Sequence, residues 1–189
     1  MKYVFKMQIL RLRFFLIPNA KKRSKLLKKK NIFYSMGENV HFQPRVIPAD
    51  PKFIKIGNNV SIASNVTFVT HDIIHYVINN LPNSVLQNRR AESHLGCIEI
   101  CDNVFIGSNV SIMPNVKINS NCIIGAGSIV TKDVPEGTIV AGCPAKVIGN
   151  FNDLVEKRLT ESVSITTKNR LARIENEWKI FEEKKLHKR

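Results

Sequence analysis

The chain has 189 residues, 43% hydrophobic and 23% charged, and a formal net charge of +14 from 29 Lys and Arg against 15 Asp and Glu. That length suits about one domain with a real core, and the apolar content excludes a strongly disordered chain. So large a positive surplus suggests a polyanionic partner, so its position in the chain matters.

The surplus sits at the ends. Residues 1–30 carry eleven basic side chains and no acid, residues 31–149 carry eight of each sign, and residues 150–189 carry ten basic against seven acidic. A balanced centre excludes a nucleic-acid-binding core, which needs its own basic face. The first segment is apolar over residues 3–17 but is interrupted by Lys6, Arg11 and Arg13. That run is too short for a membrane span, and no small-residue cleavage site follows. Residues 1–33 therefore read as a basic helical arm. It docks on the body or on another subunit, or lies on an anionic membrane surface. Cys97, Cys101, Cys122 and Cys143 are too sparse for a disulfide framework, so free thiols and a cytoplasmic location are expected.

Residues 34–149 are dominated by a repeat of six. From Ile100 the hexads read ICDNVF, IGSNVS, IMPNVK, INSNCI, IGAGSI and VTKDVP. The first position is Ile100, Ile106, Ile112, Ile118, Ile124 and Val130. The fifth is Val104, Val110, Val116, Cys122, Ser128 and Val134. Turn-forming Gly, Asn, Ser and Asp lie between. Ile56 to Phe68 follows the same rule, and a looser block starts at Met36. A period of six means a short strand, a turn, and the same again, which is the signature of a parallel β-helix. Three hexads make an 18-residue coil, and stacked coils bury an aliphatic column.

The repeat lapses once. Residues 70–97 form an extended loop holding His71, Asp72, His75, Tyr76, Arg89, Arg90 and His94. A long loop on a rigid scaffold is a common home for a functional site. Residues 150–189 show helical spacing at Leu154, Val155 and Leu159, and again at Leu171, Ile174, Trp178 and Phe181. A break is expected in the Ser- and Thr-rich stretch 160–167.

Residues 98–149 resemble the hexapeptide-repeat acyltransferases. The group includes the maltose, galactoside and capsular-polysaccharide O-acetyltransferases and the xenobiotic acetyltransferases. The resemblance rests on Ile124-Gly125-Ala126-Gly127-Ser128, Val130-Thr131-Lys132-Asp133-Val134-Pro135 and Ala141-Gly142-x-Pro144-Ala145, and extends back to Gly37. It implies a mainly β fold, a left-handed parallel β-helix with flanking N- and C-terminal helices. It also implies a homotrimer with sites in the clefts between subunits, and acetyl-CoA as donor.

Acetyl transfer from a thioester to a hydroxyl needs a base for the hydroxyl proton and donors for the oxyanion. Histidine is the natural base near neutral pH. The resemblance makes His71 that base, with no acyl-enzyme, and the Ser108 backbone N–H the oxyanion donor. Asp72 is a candidate to orient the imidazole. His75 either lines the acceptor pocket or is solvated. Phe105 stands where relatives carry Trp, so it keeps a ring near the base and lacks the indole donor. For coenzyme A the resemblance marks Gly107, Gly125 and Ala126 along the pantetheine arm, with Thr131, Lys132 and Lys146 near the phosphates. No metal is expected, because His94, Cys97 and Cys101 lack a second ligand pair. The reading is a CoA-dependent O-acetyltransferase of a sugar or glycan hydroxyl. The alternatives are N-acetylation of an amino sugar, acetylation of an antibiotic, or a non-catalytic membrane-recruited module.

Overall fold

Each hexad forms a short strand and a turn, as its residues dictate. In a computed structural model, which describes residues 2–162 and 170–186, the chain forms two units, Met1–Phe151 and Asn152–Arg189. The first unit contains thirteen strands: β1 (Ser35–Met36), β2 (His41–Phe42), β3 (Ile54–Ile56), β4 (Ser61–Ile62), β5 (Thr67–Phe68), β6 (Ile98–Ile100), β7 (Val104–Ile106), β8 (Ser111–Ile112), β9 (Val116–Ile118), β10 (Cys122–Ile124), β11 (Ile129–Val130), β12 (Thr138–Ala141) and β13 (Lys146–Asn150). They build three sheets, ordered β1-β3-β6-β9, β13-β12-β10-β7-β4-β2 and β11-β8-β5. From β3 to β11 the chain visits these sheets in strict rotation, and every pairing except β12 with β13 is parallel.

The aliphatic first and fifth positions point inward. Ile100, Ile106, Ile112, Ile118 and Ile124 are buried, as are Val104, Val110, Val116 and Cys122. The fourth position makes the corner. Asn59, Asn65, Asn103, Asn109, Asn115 and Asn121 have φ between 53° and 60°, and Gly127 takes the same place at 71°. Asn tolerates this left-handed backbone better than other side-chain-bearing residues. The corner asparagines also bond along the stack, from Asn59 Nδ2 to Asn103 Oδ1 at 2.9 Å and from Asn103 Nδ2 to Asn121 Oδ1 at 3.0 Å. At the second position close stacking demands Gly107, where a Cβ would lie 2.5 Å from the Ala126 backbone nitrogen.

The register dates each coil. Ile98 pairs with Val116, so one coil is 18 residues (116 less 98). Ile54 pairs with Ile98, 44 residues on (98 less 54), which leaves 26 residues (44 less 18) for the loop. Within that loop lie two short helices, α3 (Ile74–Ile78) and α4 (Asn83–Leu86).

An open stack has two raw ends. At the first, helix α1 (Lys2–Leu16) leads to α2 (Ala20–Lys29), which Asn19 caps by accepting the Lys22 N–H. Helix α2 sits against β2. The buried Arg23 donates to the carbonyls of Ile17 at 2.6 Å, Gln43 at 2.7 Å and Phe42 at 3.3 Å. Ser24 Oγ accepts the Phe42 N–H at 3.0 Å. These bonds satisfy an edge that would otherwise invite another strand. Beneath them Phe42 meets the rings of Phe14, Phe33 and Phe68 at 6.1, 5.8 and 6.5 Å, closing the aliphatic column with an aromatic plug. The arm therefore docks on the body. At the far end β12 turns back into β13, whose residues are exposed throughout.

Helix α5 (Phe151–Ser162) leads from the last residue of the first unit into the second, and α6 (Arg170–Leu186) follows. The residues of the expected break beyond Ser162, 163–169, lie outside the described residues. Leu171, Ile174, Trp178 and Phe181 are exposed along one stripe of α6. Among the described residues no helix is long and apolar enough to cross a membrane.

Candidate active site

His71 stands at the neck of the inserted loop. Strand β5 ends at Phe68, and the incoming and outgoing chain then pair. His71 bridges Leu95 in antiparallel fashion, the Gly96 N–H donates to Thr70 O at 2.8 Å, and the Asp72 N–H donates to His94 O at 3.2 Å. The loop can vary while the histidine backbone stays clamped to the stack.

The side chain is held by a residue from the preceding turn. Asp50 Oδ2 lies 2.5 Å from His71 Nδ1 and also accepts the Thr70 hydroxyl at 3.1 Å. Thr70 is buried, and the imidazole and carboxylate are each about one-third exposed, at 37% and 36%. A carboxylate only accepts, so this contact puts a proton on Nδ1, and in the neutral ring the lone pair is then on Nε2. A neutral imidazole so oriented can take a proton at Nε2, and the carboxylate then stabilises the imidazolium.

Asp50, through its contacts with His71 and Thr70, is a candidate site residue that the sequence reading missed. Among the described residues Asp72 makes no hydrogen bond to the imidazole. Its Oδ1 accepts the Ile74 N–H at 3.1 Å and starts α3. A signal for Asp50 was present in the ladder: His41 pairs with Ser61, 20 residues on (61 less 41), and the same offset from Asp50 reaches Thr70. The first coil is longer than the regular repeat, so an 18-residue count aims at Phe68 instead.

The other singled-out residues fall into two groups. His75 is half-buried on α3, its ring 4.4 Å from that of Tyr76, and its buried Nδ1 has no hydrogen-bond partner among the described residues. Phe105 is exposed on β7, while Gly107 is buried and Ser108 half-buried just beyond it. Among the described residues the Ser108 N–H meets no backbone acceptor, and its carbonyl accepts the Gly127 N–H at 2.8 Å. Ser108 and the Gly125–Gly127 corner thus sit in adjacent coils, with small residues on both. Thr131, Lys132 and Lys146 are exposed near the end of the stack. None of this group hydrogen-bonds to His71.

Arg89 and Arg90 are exposed in the loop. All four cysteines are free thiols, and burial pushes the Cys101 thiol up, so it stays protonated at neutral pH. Among the described residues no three His, Cys, Asp or Glu converge as a metal site.

A three-sheet stack of hexads, interrupted once by a loop that presents a carboxylate-bound histidine, defines a hexapeptide-repeat transferase. The comparisons agree. The family described as bacterial transferase hexapeptide (six repeats) matches residues 98–132. Galactoside O-acetyltransferase of Escherichia coli K12 is 38% identical over 131 residues, covering 65% of this chain and 59% of that enzyme. The crystal structure of a maltose O-acetyltransferase from Clostridium difficile 630 superposes with a TM-score of 0.56 at 30% identity, covering 76% of this chain and 83% of that one. A galactoside acetyltransferase in complex with coenzyme A does so with a TM-score of 0.56 at 31% identity, covering 80% and 82%. This chain belongs to the hexapeptide-repeat acetyltransferase family. It spans about three fifths of the length of the Escherichia coli enzyme.

Proposed function

We propose that this protein is an acetyl-CoA-dependent O-acetyltransferase acting on a hydroxyl of a sugar or glycan. The observation that carries the reading is the His71–Asp50 pair at 2.5 Å, in a chain whose relatives act on galactosides and maltose. His71 Nε2 takes the acceptor hydroxyl proton as the oxygen attacks the thioester carbonyl. The Ser108 N–H meets the oxyanion. The C–S bond then breaks, and the imidazolium returns its proton to the departing CoA thiolate. Asp50 fixes the tautomer, and Asp72 shapes the loop turn that follows.

The donor lies along Gly107, Gly125 and Ala126, whose small size admits a pantetheine chain. Thr131, Lys132 and Lys146 meet its phosphates as hydroxyl and point charges. His75 and Phe105 flank the acceptor. This reading includes a left-handed, closed β-helix, an exception to the right-handed crossover rule. It also includes a homotrimer with its sites between subunits. Contact of the basic arm with an anionic membrane is a separate part of the proposal, supported by the exposed Ile9, Leu12 and Leu16 on α1. Co-sedimentation with phosphatidylserine vesicles checks it, and no difference from neutral vesicles would refute it.

The test is CoA release from acetyl-CoA with neutral and acidic sugars, amino sugars and antibiotics as acceptors. Release with hydroxyl sugars, abolished in His71→Ala, is expected. Release only with amino sugars or antibiotics would move the acceptor class. Equal rates for wild type and His71→Ala would overturn the mechanism.

A further inference from the structure

A cleft of about 860 Å³ opens between the arm and the first two turns of the stack. Phe15 forms its arm side, His41, Arg45 and Ala49 its first-turn side, and Asn65 and Thr67 its second-turn side. Its lining ends one bond short of Asp50, at Ala49, and His71 and Asp50 themselves stand outside it.

The lining of this cleft includes Arg23 and Arg45 and no Asp or Glu. Arg23 is spent on three backbone carbonyls. Arg45 is exposed, and its guanidinium is steadied from one side only. Nη1 donates to Phe15 O at 3.3 Å, and the guanidinium carbon lies 6.0 Å from the Phe15 ring centroid. Among the described residues no carboxylate pairs with either arginine. Asp50, the nearest in sequence, is engaged by His71 and Thr70. The local field is consequently unbalanced. Burial pushes the Arg23 pKa below its ordinary value, and repulsion from Arg45 pushes it further. An oxyanion on the open edge of Arg45 would relieve that repulsion. The planar fork of a guanidinium also suits two-point binding of a carboxylate or phosphate.

We propose that Arg45 is a specificity residue that binds an anionic group, carboxylate or phosphate, on the acceptor, so that the preferred acceptors are acidic sugars. This rests on the acetyltransferase reading of the His71 site.

The experiment is calorimetric titration of the full chain, without acetyl-CoA, using glucuronate, glucose 6-phosphate and glucose. Wild type, Arg45→Gln and Arg45→Lys are compared, with thermal melts showing that the variants fold. Wild type is expected to bind at least one acidic sugar about tenfold or more tightly than glucose, as for a charge-assisted hydrogen bond. Arg45→Gln removes the preference and leaves glucose binding unchanged, while Arg45→Lys keeps part of it. Preference for glucuronate alone identifies a carboxylate, and for glucose 6-phosphate alone a phosphate. Three outcomes overturn the proposal: glucose binding as tightly as both acidic sugars, neither acidic sugar binding at millimolar concentration, or Arg45→Gln keeping the preference. Because the readout is binding, a failure at Arg45 is told apart from a failure to transfer acetyl groups.

Discussion

A histidine acts as a base only when one nitrogen is free for the reaction, and in the proposed mechanism Asp50 leaves Nε2 free by holding Nδ1. His71→Ala is therefore expected to lower CoA release by about 10²- to 10⁴-fold, the usual worth of a positioned base. Asp50→Asn tests the pair more sharply. The amide keeps the size of the carboxylate but loses its charge, and it can offer Nδ1 a donor instead of an acceptor. The expectation is a fall in kcat of about tenfold or more, with KM for acetyl-CoA unchanged and the melting temperature little altered. A variant with wild-type kcat would remove Asp50 from the mechanism. Asp72→Asn should act less severely, because Asp72 serves the start of α3 rather than the imidazole. His71 was legible in the sequence because it stands where the hexad rhythm stops. Asp50 was not, because its partner is reached by stacking one turn on the next, and the first turn is two residues longer than the regular coil.

At the scale of the element, the hexad is a packing rule, and its breakage has a cost. Ile106 is fully buried in the column, so Ile106→Ala is expected to destabilise by about 2–5 kcal/mol. Gly107→Ala forces a Cβ against the Ala126 backbone, and overpacking of this kind costs about 1–3 kcal/mol. Arg23 shows how a charged residue becomes structural. Arg23→Met would strand the carbonyls of Ile17, Phe42 and Gln43 under the arm, for about 1–3 kcal/mol. Lys25→Met, exposed on the same helix, should stay within about 0.5 kcal/mol. Urea denaturation of the four variants checks the order, and an Arg23→Met as stable as Lys25→Met would show that the edge needs no cap.

The first unit is a stack whose stability adds up through neighbouring turns, so its ends decide solubility. Removing residues 1–30 takes away Phe14, Arg23, Ser24 and Leu27 together and uncovers the Phe42 edge. The truncated chain is expected to melt earlier and to aggregate. An unchanged melting curve would mean that the arm only tethers. The proposed trimer belongs to this scale as well. Light scattering should give a mass three times 21.5 kDa, and a monomer with full activity would refute sites shared between subunits.

The sequence by itself determined the repeat, the inward residues, the asparagine corners, the place of the loop and the histidine at its neck. Each of these is local, since a six-residue unit carries its own strand, turn and inward aliphatic. Charge was only half local. The residue count placed +11 of the +14 on the first thirty residues. Only the tertiary structure showed that Arg23 is consumed in capping the stack, while Arg45, outside that segment, faces a cleft without a carboxylate. What a cation does depends on which backbone it is folded against, and the tertiary structure alone decides that. The same holds for Asp50, which became a candidate only when one turn was laid upon the next.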